Sequence, residues 1–599
     1  MITLDGNSLT IEQLAQIARE GARVERDPAS GERVARSEAV IARIVEQYRE
    51  AYARGGHLPE YGVTTGFGEF KDKPIAPEDL EQLQRNLLLS HSVGVGENTD
   101  PDDLANYFPA EVVRGALATR LNAFLKGHSG VRAKLVEIVE AMLNRGVIPL
   151  VPLRGSVGAS GDLCPLSHLF ATLLGEGRFY TMESGGQAIL PAGQAGSPVL
   201  HSAKDLPQLL GFTAAEMKPT FKEGLALVNG VNFSASMLAL AVFDAERLAD
   251  LADSAAALAL EAMAGCTRAL DPKVHEVRGH AGQIESARRI RELLKGSKLV
   301  ERAGAVQDPY SLRCAPQVHG ATRDTIRFVR SIAEKELNAA TDNPLFFPEN
   351  PSTPLRAGSE PFDVQFRDNW PRGYEGDKRL AYSAGNFHGQ PLALAADFLT
   401  IAVAELANIS ERRTQMLLDG HHNRGLPPNL TTRPGVNSGL MILQYTAASI
   451  VSENKVLAHP ASVDSIPTGA NAEDHVSMST YAARKLRTVL SNAQSVLAIE
   501  LLTSAQAVEW RAIFNYDPNA PAPKLLDVAA AEAQARRFEE GVRGDIASNL
   551  GSGTRELYRR VREAARPVLN DRPLDGDIRA VRRALLSPPV PSPRVRGEG

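Results

Sequence analysis

Gly155-Ser156-Val157-Gly158-Ala159-Ser160-Gly161-Asp162 is the stretch from which the rest of the chain can be read. At its centre stand three residues whose chemistry matters jointly. Gly161 offers an amide nitrogen with no Cβ to block its approach to a carbonyl. Ser160 carries a hydroxyl that can leave as water, and Ala159 supplies a carbonyl shielded only by a methyl. In a strained turn the Gly161 nitrogen can attack the Ala159 carbonyl. Loss of two waters then leaves a methylidene-imidazolone ring, an electrophile made from the backbone itself. No ordinary side chain is an electrophile, so the ring would indicate the reaction class.

Plainer readings of the stretch are a simple Gly-rich turn, a nucleophile elbow and a phosphate loop. The elbow needs G-x-S-x-G, but Gly161 follows Ser160 directly. The phosphate loop needs a Lys that is not there. Asp162-Leu163-Cys164-Pro165-Leu166 reads instead as a helix start, with Asp162 as N-cap and Leu163, Leu166, Phe170 and Leu173 on one face. A helix N-terminus beside the ring favours negative charge developing on it.

The pattern Gly-x-x-Gly-Ala-Ser-Gly-Asp-Leu-x-Pro-Leu resembles the signature of the aromatic amino acid ammonia-lyases, which include histidine, phenylalanine and tyrosine ammonia-lyases and related aminomutases. The resemblance continues through Tyr61-Gly62-Val63-Thr64-Thr65-Gly66-Phe67-Gly68, Gln307-Asp308-Pro309-Tyr310-Ser311-Leu312-Arg313, Gly385-Asn386-Phe387-His388 and Ser452-Glu453-Asn454-Lys455. It runs from about Thr3 to Asp571-Arg572-Pro573-Leu574. It implies a mainly α fold of the fumarase/aspartase-like lyase architecture: a long-helix bundle with a smaller mixed N-terminal region carrying the active-site loop.

Composition agrees with an enzyme of this kind. The 599 residues are 43% hydrophobic and 23% charged, as in a globular protein with a sizeable core. A net charge of −5 argues against a nucleic-acid or membrane-surface role. Cys164, Cys266 and Cys314 are too few and scattered for a disulfide framework or zinc site, so no metal is expected. The N-terminus shows no signal-peptide pattern. Asp397 and Glu405 interrupt the apolar run at 391–409, which argues against a membrane span. A cytoplasmic location is the expectation.

Along the chain, residues 1–60 read as short helices, Tyr61 to Phe70 as a glycine-bearing loop, and Ala110 to Arg145 as helical. The Gly/Pro/Ser-rich 178–210 reads as a surface excursion. Long apolar segments are expected helical at 233–264, 322–340, 391–418, 437–457 and 472–508, the last capped by Asn471 with Asp474 three residues on. The organisation expected is 1–213 with the cofactor loop, 214–512 as the helix bundle, 513–586 as a helical C-terminal region and 587–599 as a disordered tail. The proline-rich 347–380 looks like a surface insertion.

Eliminating ammonia requires activating a poor leaving group and removing a barely acidic β-hydrogen. By the resemblance, the electrophile forms autocatalytically from Ala159-Ser160-Gly161 with no external cofactor, and Tyr61 is the candidate base. Tyrosine has a reference pKa of about 10, so this role needs neighbours that favour the phenolate. Arg313 is the candidate carboxylate clamp, since a guanidinium makes two parallel bonds to a carboxylate. Tyr310 and Gln307 would share its helical face if the segment is helical. Asn229 would bond the ring oxygen or the carboxylate, and Phe387 would pack beside the ring. Ser90-His91 and Glu473 match the histidine lyases, and His91 and Glu473 would hold the two imidazole nitrogens, one giving and one accepting a hydrogen bond. Ala472, Ala315 and Val231 depart from the histidine-lyase pattern. The expected reaction is therefore deamination of L-histidine to urocanate, with a tyrosine or phenylalanine lyase or an aminomutase as alternatives, and an inactive helical scaffold as a remote one. The resemblance also implies a homotetramer.

Overall fold

The computed structural model describes residues 1–56, 58–182, 198–348, 381–515, 517–519 and 528–586. The expectations for 349–380 and for the tail from Ser587 fall outside the described residues.

Long helices dominate, as the apolar segments require. They run Asn232–Ala262, Ala315–Leu337, Gln390–Leu418, Met441–Leu457 and Ser479–Phe514. Asn232–Ala262 and Ser479–Phe514 are rich in Ala and Leu buried on several faces, including Ala239, Leu240, Ala241, Val242, Ala498, Ile499 and Leu501. Such helices need no single apolar stripe, because protein surrounds them. Gln390–Leu418 is long and apolar enough to cross a membrane, but 61% of its most apolar window is buried inside the protein. The fold class is mainly α.

The chain divides into two compact units. One comprises Met1–Phe243, Arg330–Asp397 and Pro460–Arg484; the other comprises Asp244–Val329, Phe398–His459 and Lys485–Gly599. In the first, the Pro28–Ala53 helix buries Val40, Ile41, Val45 and Tyr48 against Val63, Leu80, Phe346 and Ala381. This cluster fixes the loop that starts at Tyr61, because Val63 is one of its members. In the second, Trp510 stacks on Phe538 at 4.1 Å and donates its indole N–H to the Leu430 carbonyl at 3.1 Å.

Four local expectations are corrected. Residues 1–60 are not all short helices: Ile2–Leu4 pairs in parallel with Val24–Arg26, and Pro28–Ala53 is 26 residues long. In 178–210, Arg178–Thr181 is a strand between Val147–Pro149 and His201–Ser202, its Phe179 and Tyr180 buried. Three-residue pairings give too little alternation to read from sequence. Asp162 stands at the N-cap of Leu163–Ala171 without capping it; its carboxylate accepts instead from the Ser234 N–H and the Ser234 and Thr480 hydroxyls. Asn471 does not cap the last long helix, which begins at Ser479. Ala470, Asn471 and Met478 have φ of 53°, 65° and 55°, and these left-handed positions keep the chain out of a helix until then.

Candidate active site

Ser160 has φ 52° and Gly161 φ 84°, so the stretch read first is a left-handed turn. For a residue with a side chain this costs on the order of 1 kcal/mol, which the surroundings must impose. They do so from two sides. The Gly230 N–H donates to the Ser160 carbonyl at 3.3 Å, and the Asp162 N–H donates to the Gly230 carbonyl at 2.7 Å. On the other side, the Met478 N–H donates to the Val157 carbonyl at 2.9 Å and the Ser477 hydroxyl to that of Gly158 at 3.3 Å. Only glycine fits at 161, since a Cβ there would lie 2.2 Å from the Gly230 oxygen. Among the described residues the Gly161 N–H donates to no partner. An uncommitted amide beside a side chain that can lose water suits the proposed cyclisation.

The Ser160 hydroxyl donates to Glu473 Oε1 at 2.9 Å. The other carboxylate oxygen accepts from the Thr468 hydroxyl at 2.8 Å, and Thr468 and Glu473 also exchange backbone bonds. Glu473 is therefore held in one orientation with its charge turned on the loop.

Tyr61 lies in the turn ordered by Thr64, whose hydroxyl accepts from the Glu60 N–H and donates to the Leu58 carbonyl. Its ring meets Phe67 edge-on at 6.3 Å, and its oxygen accepts from the Gly68 N–H at 3.4 Å. Burial pushes the phenol above its ordinary value and the Glu473 charge adds to this, against the Gly68 bond. Within one chain the neighbours thus hold Tyr61 protonated rather than favouring the phenolate.

His91 ends the Leu80–His91 helix, and its Nδ1 lies 2.9 Å from the Leu87 carbonyl and 3.0 Å from the Ser90 hydroxyl. A carbonyl can only accept, so Nδ1 carries the hydrogen. Burial lowers the ring's pKa, outweighing the Leu87 bond and the Glu473 charge, so the ring is neutral and Nε2 is an acceptor. Glu473 thus interacts with Ser160, Tyr61 and His91, and the structure brings these four together.

Asn229 closes the Glu223–Val228 helix next to Gly230; it is buried, and its Oδ1 has no partner. Phe387 sits half-buried in the turn before Gln390–Leu418. The other unit carries the remaining candidates. There, Tyr310–Arg313 is a single helical turn, and the Arg313 guanidinium lies over the Tyr310 ring at 4.6 Å. Arg313 Nε is buried without a partner. Gln307 precedes the turn, beyond Pro309 at the N-cap, so it does not share that helical face.

Sequence reading missed Gln84. This fully buried side chain donates to the Gly62 carbonyl at 3.2 Å and accepts from the Leu225 N–H at 3.2 Å. It joins the Tyr61 loop, the His91 helix and the helix leading to Asn229. A Gln on the same stripe as Leu80, Leu87 and Leu88 was the available signal. Thr468 carried no such signal, because its role depends on the fold of one turn.

Comparison with known proteins follows the same lines. A model described as aromatic amino acid lyase matches residues 9–534. Histidine ammonia-lyase of Caldanaerobacter subterraneus subsp. tengcongensis is 43% identical over 584 residues, covering 97% of this chain and 95% of the relative. The histidine ammonia-lyase structure from Trypanosoma cruzi superposes with a TM-score of 0.75 at 36% identity, covering 98% of this chain and 93% of that one. Tyrosine aminomutase from Streptomyces globisporus superposes at 0.76 with 32% identity, covering 98% and 96%. With more than half of its length matched by the family and relatives this similar end to end, the chain belongs to the aromatic amino acid lyase family.

Proposed function

We propose that the chain deaminates an aromatic L-amino acid without oxidation, converting L-histidine to urocanate and ammonia. The names of its relatives support this, and one observation carries it: Glu473 is oriented at Ser160 while sharing its surroundings with Tyr61 and His91. Ala159, Ser160 and Gly161 supply the electrophile. The Gly161 nitrogen bonds to the Ala159 carbonyl carbon, whose oxygen leaves as water; Ser160 loses its hydroxyl and Cα hydrogen as a second water, and no electrons are exchanged. Once formed, the methylidene-imidazolone would supply an electrophile for the substrate amine, with no external cofactor.

The other residues position and move protons. Arg313 clamps the carboxylate, with Tyr310 and Gln307 beside it in sequence, and Asn229 and Phe387 border the ring. Tyr61 takes the β-hydrogen, which requires a cation or a further subunit's group to offset what burial and Glu473 do to it. Nε2 of His91 and the Glu473 carboxylate are both acceptors, not one donor and one acceptor as the sequence suggested, because His91 Nδ1 gives its hydrogen to the Leu87 carbonyl. The two ring nitrogens of histidine then satisfy them best when both carry hydrogens. Phenylalanine has no ring donor and tyrosine has one. The enzyme acts in the cytoplasm as a homotetramer.

Incubation with L-histidine, L-tyrosine and L-phenylalanine, following each unsaturated acid's absorbance, tests the reading. Histidine should be turned over fastest. His91→Phe should lower histidine efficiency relative to phenylalanine by about ten- to a hundredfold, the worth of one buried hydrogen bond. An unchanged ratio would reject the assignment of His91, and preference for tyrosine or phenylalanine in the wild type would reject histidine.

A further inference from the structure

Behind the loop lies a buried ionic cluster that the proposed reaction does not use. Lys222 Nζ is 2.7 Å and Arg120 Nη2 3.7 Å from Asp342 Oδ2, and all three side chains are essentially inaccessible. Two cations share one carboxylate, and Asp342 and Arg120 are the charged groups acting on Lys222. One positive charge is therefore left over in the interior, where unbalanced charge is strongly disfavoured. Burial lowers the Lys222 pKa to about 8 even with Asp342 opposing it.

The position of the cluster accounts for keeping that charge. A Cβ built on Gly230 would lie 2.6 Å from Arg120 Nη1, 2.9 Å from the Thr341 carbonyl and 3.1 Å from Thr341 Oγ1. Gly230 is therefore layered between Arg120 and the Ser160-Gly161 backbone, to which it is hydrogen-bonded. Arg120 Nη1 also donates to Asn232 Oδ1 at 3.2 Å, fixing the chain just beyond Gly230. Beside the ion-paired atoms, Arg120 Nε, Thr341 Oγ1 and Asn229 Oδ1 are buried without a hydrogen-bond partner. On its far side the cluster continues into the Phe387 loop. Asp342 Oδ1 accepts from the Asn343 N–H at 2.7 Å, Asn343 Oδ1 from the Ala384 N–H at 2.7 Å, and the Ala340 carbonyl from Asn386 Nδ2 at 3.2 Å.

We propose that Arg120, Lys222 and Asp342 are positioning residues for maturation of the electrophile: they press the Asn229–Gly230 strap onto the Ala159–Ser160–Gly161 loop and place one net positive charge behind it. The proposal rests on the cyclisation reading above. When Gly161 attacks, its nitrogen loses a proton and the Ala159 oxygen gains negative charge. A fixed cation behind the strap stabilises that change without reorganising. Lys222 and Arg120 touch no reacting atom and act through Gly230.

The test is the intact mass of the full chain, followed over time after synthesis, for the wild type, Lys222→Met and Lys222→Arg. The wild type should lose two waters. Lys222→Met should keep its helical circular dichroism yet dehydrate roughly tenfold more slowly or worse, a barrier change of about 1.4 kcal/mol. Lys222→Arg, which keeps the charge, should restore the rate. A purely structural role would shift the melting temperature and leave the rate of mass loss unchanged. Lys222→Met dehydrating at the wild-type rate overturns the proposal. If that variant does not fold, unslowed dehydration of Lys222→Gln overturns it equally, and slowed dehydration upholds it. A wild type at its full translated mass instead refutes the cyclisation reading.

Discussion

Asp162 and His168, at the two ends of the helix following the Ala159-Ser160-Gly161 turn, and Asp253 and His319, in the other unit, are held by partners that differ in kind. Asp162 is fully buried and accepts from one backbone N–H and two hydroxyls. Burial raises its pKa despite those bonds. His168 Nε2 accepts the Gly94 N–H at 2.9 Å, and burial lowers its pKa to about 4. Asp253, equally buried, takes His319 Nδ1 at 2.8 Å, the Ser286 hydroxyl at 2.5 Å and Arg323 Nη2 at 2.5 Å. Burial works against its charge too, but these partners overcome it and its pKa falls. The network continues to Arg413, which grips Glu500 and donates to the Ser311 carbonyl beside the Arg313 turn at 3.3 Å. The groups that hold Asp162 are neutral donors, which fix the shape of the loop without adding a charge beyond those of Glu473 and the Arg120–Lys222–Asp342 cluster. The second network matches charge with charge and serves stability. Substitutions in the two regions should therefore separate chemistry from folding.

Ser160→Ala should show the largest effect. Without the hydroxyl no methylidene can form, so activity should fall on the order of a thousandfold or more. Its one side-chain partner is Glu473, so stability should change by only about 1 kcal/mol. Intact mass, turnover and melting temperature measured on one preparation check this; retained activity would remove the loop from the mechanism. Asp253→Asn should do the reverse. It removes the buried carboxylate that Arg323, Arg289 and His319 share, leaving the arginines only the more exposed Asp250 and Glu285, and should cost about 3 kcal/mol in urea unfolding. Dehydration of the loop should proceed unaltered. Folded Asp253→Asn that fails to lose the two waters would break the division between the two regions.

The long helices were legible because Ala- and Leu-rich runs such as 233–264 and 391–418 admit few other structures, and the turn at Ala159-Ser160-Gly161 was legible from its glycines and the helix start that follows. What escaped reading was set by pairing across the chain. Asp162 has the composition of a cap, yet Ser234 and Thr480, 72 and 318 residues away, take its carboxylate. Asn471 likewise has a capping side chain, but left-handed backbone at 470, 471 and 478 postpones the helix. Tyr61 was readable as a candidate base, whereas the opposing influence of burial and Glu473 on its phenol needs the fold. The Arg120–Lys222–Asp342 cluster joins residues more than a hundred positions apart and had no local signature.

The smallest expected effect concerns His168 and acid. Its Nε2 must be unprotonated to accept from Gly94, and Gly94 begins the turn that leaves His91. The folded pKa of about 4 lies below the ordinary 6.5, so between these values the unfolded chain binds a proton that the folded one refuses. Stability must then fall as pH drops through that window, and the loss is complete only below about pH 4. A shift of this size corresponds to about 3 kcal/mol in full, of which about 2 should appear between pH 7 and 4.5. His168→Gln keeps an acceptor near Gly94 but cannot titrate. Urea midpoints at the two pH values should therefore draw closer together in the variant by about that amount. Asp253, whose pKa is lowered, also loses its contribution in acid, but it does so below the ordinary carboxylate range and equally in both proteins. An identical acid loss in the wild type and His168→Gln would show that the Gly94 turn is held by something other than the neutral imidazole.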